Sequence, residues 1–136
     1  MENLESIVSK DMLAVSPNTT VVELIKKFAS CKTDFAVVLE ENLLAGVVSE
    51  KDILKLVRIE PMMSMEAVIA SNIPERVGKK VVSEIMTTHP IVVEKNTQIE
   101  EVIKLIATNS MTHIPVVDNG VFVGVLNVLD IFKEMI

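Results

Sequence analysis

Three shortages narrow the reading before any motif is considered. Cysteine occurs once, at Cys31, so no intramolecular disulfide can staple the chain, and two histidines without a second cysteine cannot build a structural zinc site. Aromatic residues make up 3% and all are Phe, which removes the stacking platforms that hold single-stranded nucleic acid. Positive charge is also scarce. A formal net charge of -6 argues against the Lys- and Arg-rich face that displaces phosphate counterions, so no direct nucleic-acid partner is expected. No apolar run reaches the roughly 18 residues that a membrane-spanning helix needs. The opening Met1-Glu2-Asn3-Leu4-Glu5 has neither the basic start nor the apolar stretch of a signal peptide, so a cytoplasmic protein away from membranes is expected.

What the sequence does contain is a duplication. Gly124-Val125-Leu126-Asn127-Val128-Leu129-Asp130 has a near copy 78 positions earlier, Gly46-Val47-Val48-Ser49-Glu50-Lys51-Asp52. The same offset, without a gap, places Ile7 on Ile85, Val15 on Val93, Asn18-Thr19 on Asn96-Thr97, Glu23 on Glu101, Val38 on Val116 and Lys55 on Lys133. A repeat at fixed period is the first thing to settle, because it sets the architecture. Two units of roughly 55 residues would each be marginal alone, and with 49% hydrophobic residues they are expected to share a core.

Periodicity fills in each unit. Leu13-Ala14-Val15 reads as a short strand closed by the turn and cap residues Ser16-Pro17-Asn18-Thr19. Val21, Leu24, Ile25, Phe28 and Ala29 then recur at helical spacing. Phe35 to Leu39 and Leu43 to Val48 are apolar runs too short for helices and read as a hairpin, followed by a helix from Glu50 to Ile59. The second copy repeats this: a strand at Ile91 to Val93, a helix through Ile99, Val102, Ile103, Ile106 and Ala107, strands at His113 to Val117 and Val121 to Leu126, and a helix from Val128. Its hairpin turn carries Asn119-Gly120, a strong signal because both residues tolerate positive φ. The expected fold is α/β (α+β): two pseudo-symmetric β-α-β-β-α repeats sharing a core. Repeat 1 is expected over 1–59, a methionine-containing helix and linker over 60–82, and repeat 2 over 83–136. Met62, Met63 and Met65 are expected as core filler rather than as an adaptable binding surface.

Chemistry is thinly represented. Cys31 has no histidine near it in sequence, and neither His89 nor His113 has metal-ligand spacing, so a non-catalytic protein is expected. The strand-to-helix junctions hold more. Ser49 and Asn127 can accept from amides at a helix start, with Asp52 and Asp130 three residues on, near the positive end of the helix dipole. From spacing alone these are helix caps with Asp in place of the usual Glu.

A repeated unit in which each copy ends in Gly-apolar-apolar-(Ser/Asn)-x-x-Asp, together with Ile85-Met86-Thr87-Thr88-His89-Pro90 and His113-Ile114-Pro115-Val116-Val117, resembles tandem CBS domains. These are named after cystathionine beta-synthase, and the pair is also called a Bateman module. The resemblance implies a regulatory sensor without a catalytic cofactor, holding an adenosine-containing ligand (AMP, ADP, ATP or S-adenosylmethionine) in clefts between the repeats. It places ribose contacts on Asp52 with Ser49 and on Asp130 with Asn127, although Asn127 stands where Ser or Thr is commoner. A carboxylate accepting from vicinal hydroxyls forms the stronger, charge-assisted kind of hydrogen bond.

An adenine slot would draw on Leu13, Ala36, Ile91, Ile114 and Pro115, and a phosphate or other tail on His113, His89, Thr88, Lys10 and Lys51. The family also implies a homodimer, for which Ile53, Leu54, Leu56 and Val57, with Ile131, Phe132 and Met135, could form the apolar face, and an effector protein of unknown identity. The competing expectation is a protein-interaction or structural module with no nucleotide bound, gripping its partner through Met62 to Met65.

Overall fold

The computed structural model describes residues 4–57 and 62–136. The expected helix end at Ile59 and the start of the connector at Glu60 lie outside the described residues. The first repeat contains β1 (Leu13–Val15), α1 (Val21–Cys31), β2 (Phe35–Glu40), β3 (Leu43–Ser49) and α2 (Glu50–Leu54). The connector forms two short helices, α3 (Met65–Ala70) and α4 (Ile73–Gly78). The second repeat contains β4 (Val93–Glu94), α5 (Ile99–Asn109), β5 (His113–Asp118), β6 (Val121–Asn127) and α6 (Val128–Met135). The strand-helix-strand-strand-helix order expected of each repeat is present in both.

Local sequence explains where these elements begin and turn. Thr20 caps α1: its hydroxyl accepts from the Glu23 amide at 3.1 Å, while the Glu23 carboxylate accepts the Thr20 amide at 3.1 Å. That bond, and a second from the Thr20 hydroxyl, hold the Glu23 carboxyl below its ordinary pKa. The helix ends at Lys32, which takes the left-handed conformation. In each repeat the hairpin turn has two residues at positive φ, Asn119-Gly120 in one and Glu41-Asn42 in the other. Glu41, at φ 52, is neither Gly nor Asn, and its Cβ makes that conformation costly. Glu41→Asn, which copies the second repeat, is therefore expected to stabilise the protein by about 1 kcal/mol. An unchanged urea midpoint would contradict this.

The chain forms two compact units whose membership cuts across the repeats. One unit comprises Leu13–Glu40 and Ala45–Thr88; the other comprises the stretch up to Met12, Glu41–Leu44 and His89–Ile136. In the first of these, β1 runs parallel to β2 with Leu13 opposite Ala36, and Val47 forms a bridge with Thr87. Its apolar cluster joins Val15, Leu24, Phe28, Ala36, Val38 and Val48 to Val82, with Ile85 and Met86 packed against it. In the other unit β5 pairs antiparallel with β6 and parallel with β4, Leu43 sits opposite Val121, and Ser9 bridges Val125. Its cluster joins Val93, Ile99, Val102, Ile114, Val116, Leu126 and Ile131 to Leu4 and Ile7.

Two clusters of buried side chains form, one in each unit, and each is completed by the segment that leads into the other repeat. Two glycines make room for those segments. A Cβ on Gly46 would lie 2.4 Å from the Thr87 carbonyl oxygen, and one on Gly124 would lie 2.4 Å from Val8 Cγ1 and 2.6 Å from the Ser9 carbonyl oxygen.

Three expectations need correction. Met62 and Met65 are not core filler: Met62 is 94% exposed, and Met65 is 73% exposed on α3, which buries none of its residues, while Met63 is half-buried. Ile131 cannot serve an interface, being fully buried in its cluster, whereas Leu129, Phe132 and Met135 of the same helix are exposed. Finally, β4 starts at Val93, which leaves Ile91 exposed ahead of the strand.

Candidate functional site

The duplicated strand-to-helix junctions start from equivalent residues and end in different chemistry. In the first repeat Ser49 closes β3 in extended conformation and α2 follows at once. The Asp52 carboxylate turns back on this junction. Its Oδ2 accepts from the Ser49 amide at 2.8 Å and from the Ser49 hydroxyl at 3.4 Å, and its Oδ1 accepts from Lys55 Nζ at 3.4 Å. Asp52 is buried, at 7% exposure, so these local donors replace the water it has lost.

In the second repeat the junction residue is Asn127, and its longer side chain does the tying itself. Asn127 Oδ1 accepts from the Leu129 amide at 2.9 Å. Asp130 has no hydrogen-bond or ion-pair partner among the described residues and lies half-buried on the first turn of α6. It lines an open hollow of about 390 Å³ with Ser6, Ile7, Val8, Ser9, Lys133 and Glu134. The repeat-matched Asp-Lys pair is thus closed in one copy, Asp52 with Lys55, and open in the other, Asp130 with Lys133.

A hollow holding an available carboxylate, one ammonium and two serines suits a ligand that offers hydroxyl donors and little negative charge. Asp130 can accept from two adjacent hydroxyls. Lys133 supplies one cation, and Glu134 beside it disfavours a long phosphate chain.

The remaining expected residues divide between the two units. Leu13 and Ala36 face each other across β1 and β2, but Ala36 is fully buried in its cluster. Ile114 and Pro115 are buried on β5 against β6, and Ile114 belongs to the second cluster. His113 is half-buried opposite Asn127, with its Nδ1 3.1 Å from Thr112 Oγ1. Lys51, Thr88 and His89 are exposed. Lys10, also exposed, lines a different hollow of about 410 Å³ with Glu5, Val8, Lys95, Asp118 and Val123. Of the residues lining the Asp130 hollow only Asp130 was expected at a site, and Ser9 and Lys133 are among the six that were not. Both had a signal in the duplication, since Ser9 matches the hydroxyl residue Thr87 and Lys133 matches Lys55. No group of three or more His, Cys, Asp or Glu able to hold a metal ion occurs among the described residues. None of the helices among them is long and apolar enough to cross a membrane.

With this geometry in hand, comparison with known proteins gives a consistent answer. The family description "CBS domain" matches twice, over residues 4–59 and 82–136. CBS domain-containing protein CBSCBSPB1 of Arabidopsis thaliana is 30% identical over 132 residues, covering 95% of this chain and 22% of that protein. The chloroplastic protein CBSX1 of the same plant is 29% identical, covering 86% of this chain and 56% of its own length. The chain therefore spans between about a fifth and just over half of these relatives. Among solved structures, CBSX2 in complex with AMP superposes with a TM-score of 0.80 at 25% identity, covering 99% of this chain and 97% of that one.

Proposed function

The chain belongs to the CBS-domain family, with two copies in tandem, and from that premise we propose that it is a regulatory, non-catalytic module that binds an adenosine-containing ligand with its ribose on Asp130. The observation that carries this reading is the Asp130 carboxylate, unpartnered among the described residues, in its hollow, set against an Asp52 carboxylate already satisfied by its own helix start. The solved complex of CBSX2 with AMP supports the ligand class. Ser9 would assist at the sugar, and Lys133 would meet a single phosphate or a compact polar tail, which favours AMP or S-adenosylmethionine over ATP.

Occupancy can act as a signal only if the ligand binds two arrangements of the protein unequally. The exposed Leu129, Phe132 and Met135 of α6, one turn from the hollow, are the surface through which a second copy of the chain would sense it. A reducing compartment such as the cytosol suits the single exposed cysteine.

The test is thermal denaturation and calorimetry with AMP, ADP, ATP and S-adenosylmethionine. A ligand at 100 times its dissociation constant adds ~2.7 kcal/mol of stability. Asp130→Asn is expected to weaken binding about 10- to 100-fold, the worth of charge-assisted hydrogen bonds. Asp52→Asn is expected to leave binding unchanged and cost about 1 kcal/mol of stability through the weakened cap. The reverse pattern would overturn the assignment. A second reading, a protein-interaction module with no nucleotide, is favoured by one observation, the exposed Met62, Met65 and Ile69 around α3. Absence of a shift with every ligand would support it.

A further inference from the structure

A second charged feature lies in the unit that holds Asp52. In a chain of net charge -6 with 13 Lys and Arg residues, four of the cations line one open hollow of about 450 Å³: Lys55, Arg76, Lys79 and Lys80, with Leu56 as the fifth wall. Among the described residues no carboxylate lines it. We propose that this hollow is a binding site for a diphosphate group, separate from the Asp130 hollow.

The backbone beneath the cations is fixed. α4 packs on α1 and buries Val77. The Lys80 carbonyl accepts from the Val21 amide at 3.0 Å, and the next turn is secured by Val82 donating to the Thr19 carbonyl at 2.8 Å. Arg76 donates from one Nη to the Leu56 carbonyl at 2.7 Å, which anchors the guanidinium at the rim with most of its five N–H donors still available. A planar guanidinium matches two phosphate oxygens at once, and the flanking ammonium groups add point charges.

Each lysine also has an acidic neighbour: Lys79 with Glu75 at 2.8 Å, Lys80 with Glu84 at 3.7 Å and Lys55 with Asp52 at 3.4 Å. Glu75 and Glu84 are exposed, and exposed pairs are weak enough for a multiply charged anion to compete. A single phosphate would gain too little against these two exposed pairs and the third, in which Lys55 holds the buried Asp52. Two linked phosphates bring the charge density that does.

The diphosphate could come as inorganic pyrophosphate or as the phosphate chain of a nucleotide. Calorimetry with inorganic pyrophosphate and, separately, ADP distinguishes them when run on the full chain carrying Asp130→Asn. That background keeps the outcome independent of the nucleotide reading above. Pyrophosphate is expected to bind wild type and Asp130→Asn alike. The triple variant Lys55→Gln, Lys79→Gln, Lys80→Gln is expected to weaken it at least about tenfold, with Arg76 left in place because it also anchors α4. The corresponding Lys→Arg triple variant is expected to retain binding, which separates lost charge from lost fold. ADP binding more tightly than pyrophosphate to the Asp130→Asn protein, and lost in the triple variant, identifies a nucleotide source; ADP binding no more tightly identifies the inorganic one. No pyrophosphate binding to wild type at millimolar concentration and low salt would overturn the site. So would an equal loss on neutralising Lys26 and Lys27 of α1, since that would make the attraction a diffuse surface effect.

Discussion

Gly124→Ala is expected to cost the fold about 3 kcal/mol or more and to detach the segment around Ser9. The added methyl would sit 2.6 Å from the Ser9 carbonyl oxygen and 2.4 Å from Val8 Cγ1. The oxygen belongs to backbone held by two hydrogen bonds, Ser9 N–H to the Val125 carbonyl and Val125 N–H to the Ser9 carbonyl, each at 2.9 Å. Val8 Cγ1 can move by rotating its side chain, but the carbonyl oxygen cannot yield without breaking that bridge, so the cost exceeds ordinary overpacking. Total stabilities of domains this size are about 5–15 kcal/mol, which makes this a large fraction. The readout is the urea midpoint together with hydrogen exchange of the Ser9 and Val125 amides. Gly46→Ala should behave alike, since its methyl would meet the Thr87 carbonyl oxygen at 2.4 Å. An alanine variant at Gly124 with wild-type stability and a protected Ser9 amide would refute the packing account.

Truncating the leading segment from its apolar side should do comparable damage. Leu4 is almost wholly buried, and Leu4 and Ile7 both sit in the cluster built on α5, β5, β6 and α6. Leu4→Ala is expected to cost about 2–5 kcal/mol through lost transfer energy and the cavity left behind, and Leu4→Ala with Ile7→Ala somewhat less than twice that because the two share the cavity. Since Ile7 also lines the Asp130 hollow, the double variant should weaken nucleotide binding as well as stability. Leu4→Met, which nearly preserves volume, should cost under about 1.5 kcal/mol. A loss of less than about 0.5 kcal/mol for Leu4→Ala would mean that the segment is not part of that core.

How much of this could be read from the sequence depends on the distance over which each feature is decided. The repeat and its strand-helix-strand-strand-helix order are set by short-range periodicity, and α1, α5 and both hairpins lie where the apolar spacing put them. The fate of the leading segments was not visible, because Leu4 and Val82 are simply apolar residues until the topology brings each to the other repeat. α2 is shorter than its apolar pattern implied: only five residues, Glu50–Leu54, are α-helical. The Met62 and Met65 assignment failed because local composition says nothing about what α3 will pack against.

At the candidate site both motif aspartates were visible, and so was the substitution of Asn127 for Ser, but its consequence runs through geometry. In the asparagine copy Asn127 Oδ1 accepts from the Leu129 amide and Asp130 has no partner among the described residues, whereas in the serine copy Asp52 accepts from the Ser49 amide.

The discontinuous make-up of the units also sets a timetable for biosynthesis. When the ribosome has released β1 through α2, that unit still lacks Val82, Ile85 and Met86, so its interior stays open until translation passes Thr88. At about 5–20 residues per second, a nascent chain spends some seconds with Val15, Leu24 and Phe28 incompletely covered. The second unit has no such wait for Leu4 and Ile7, which emerge first and idle until α6 arrives.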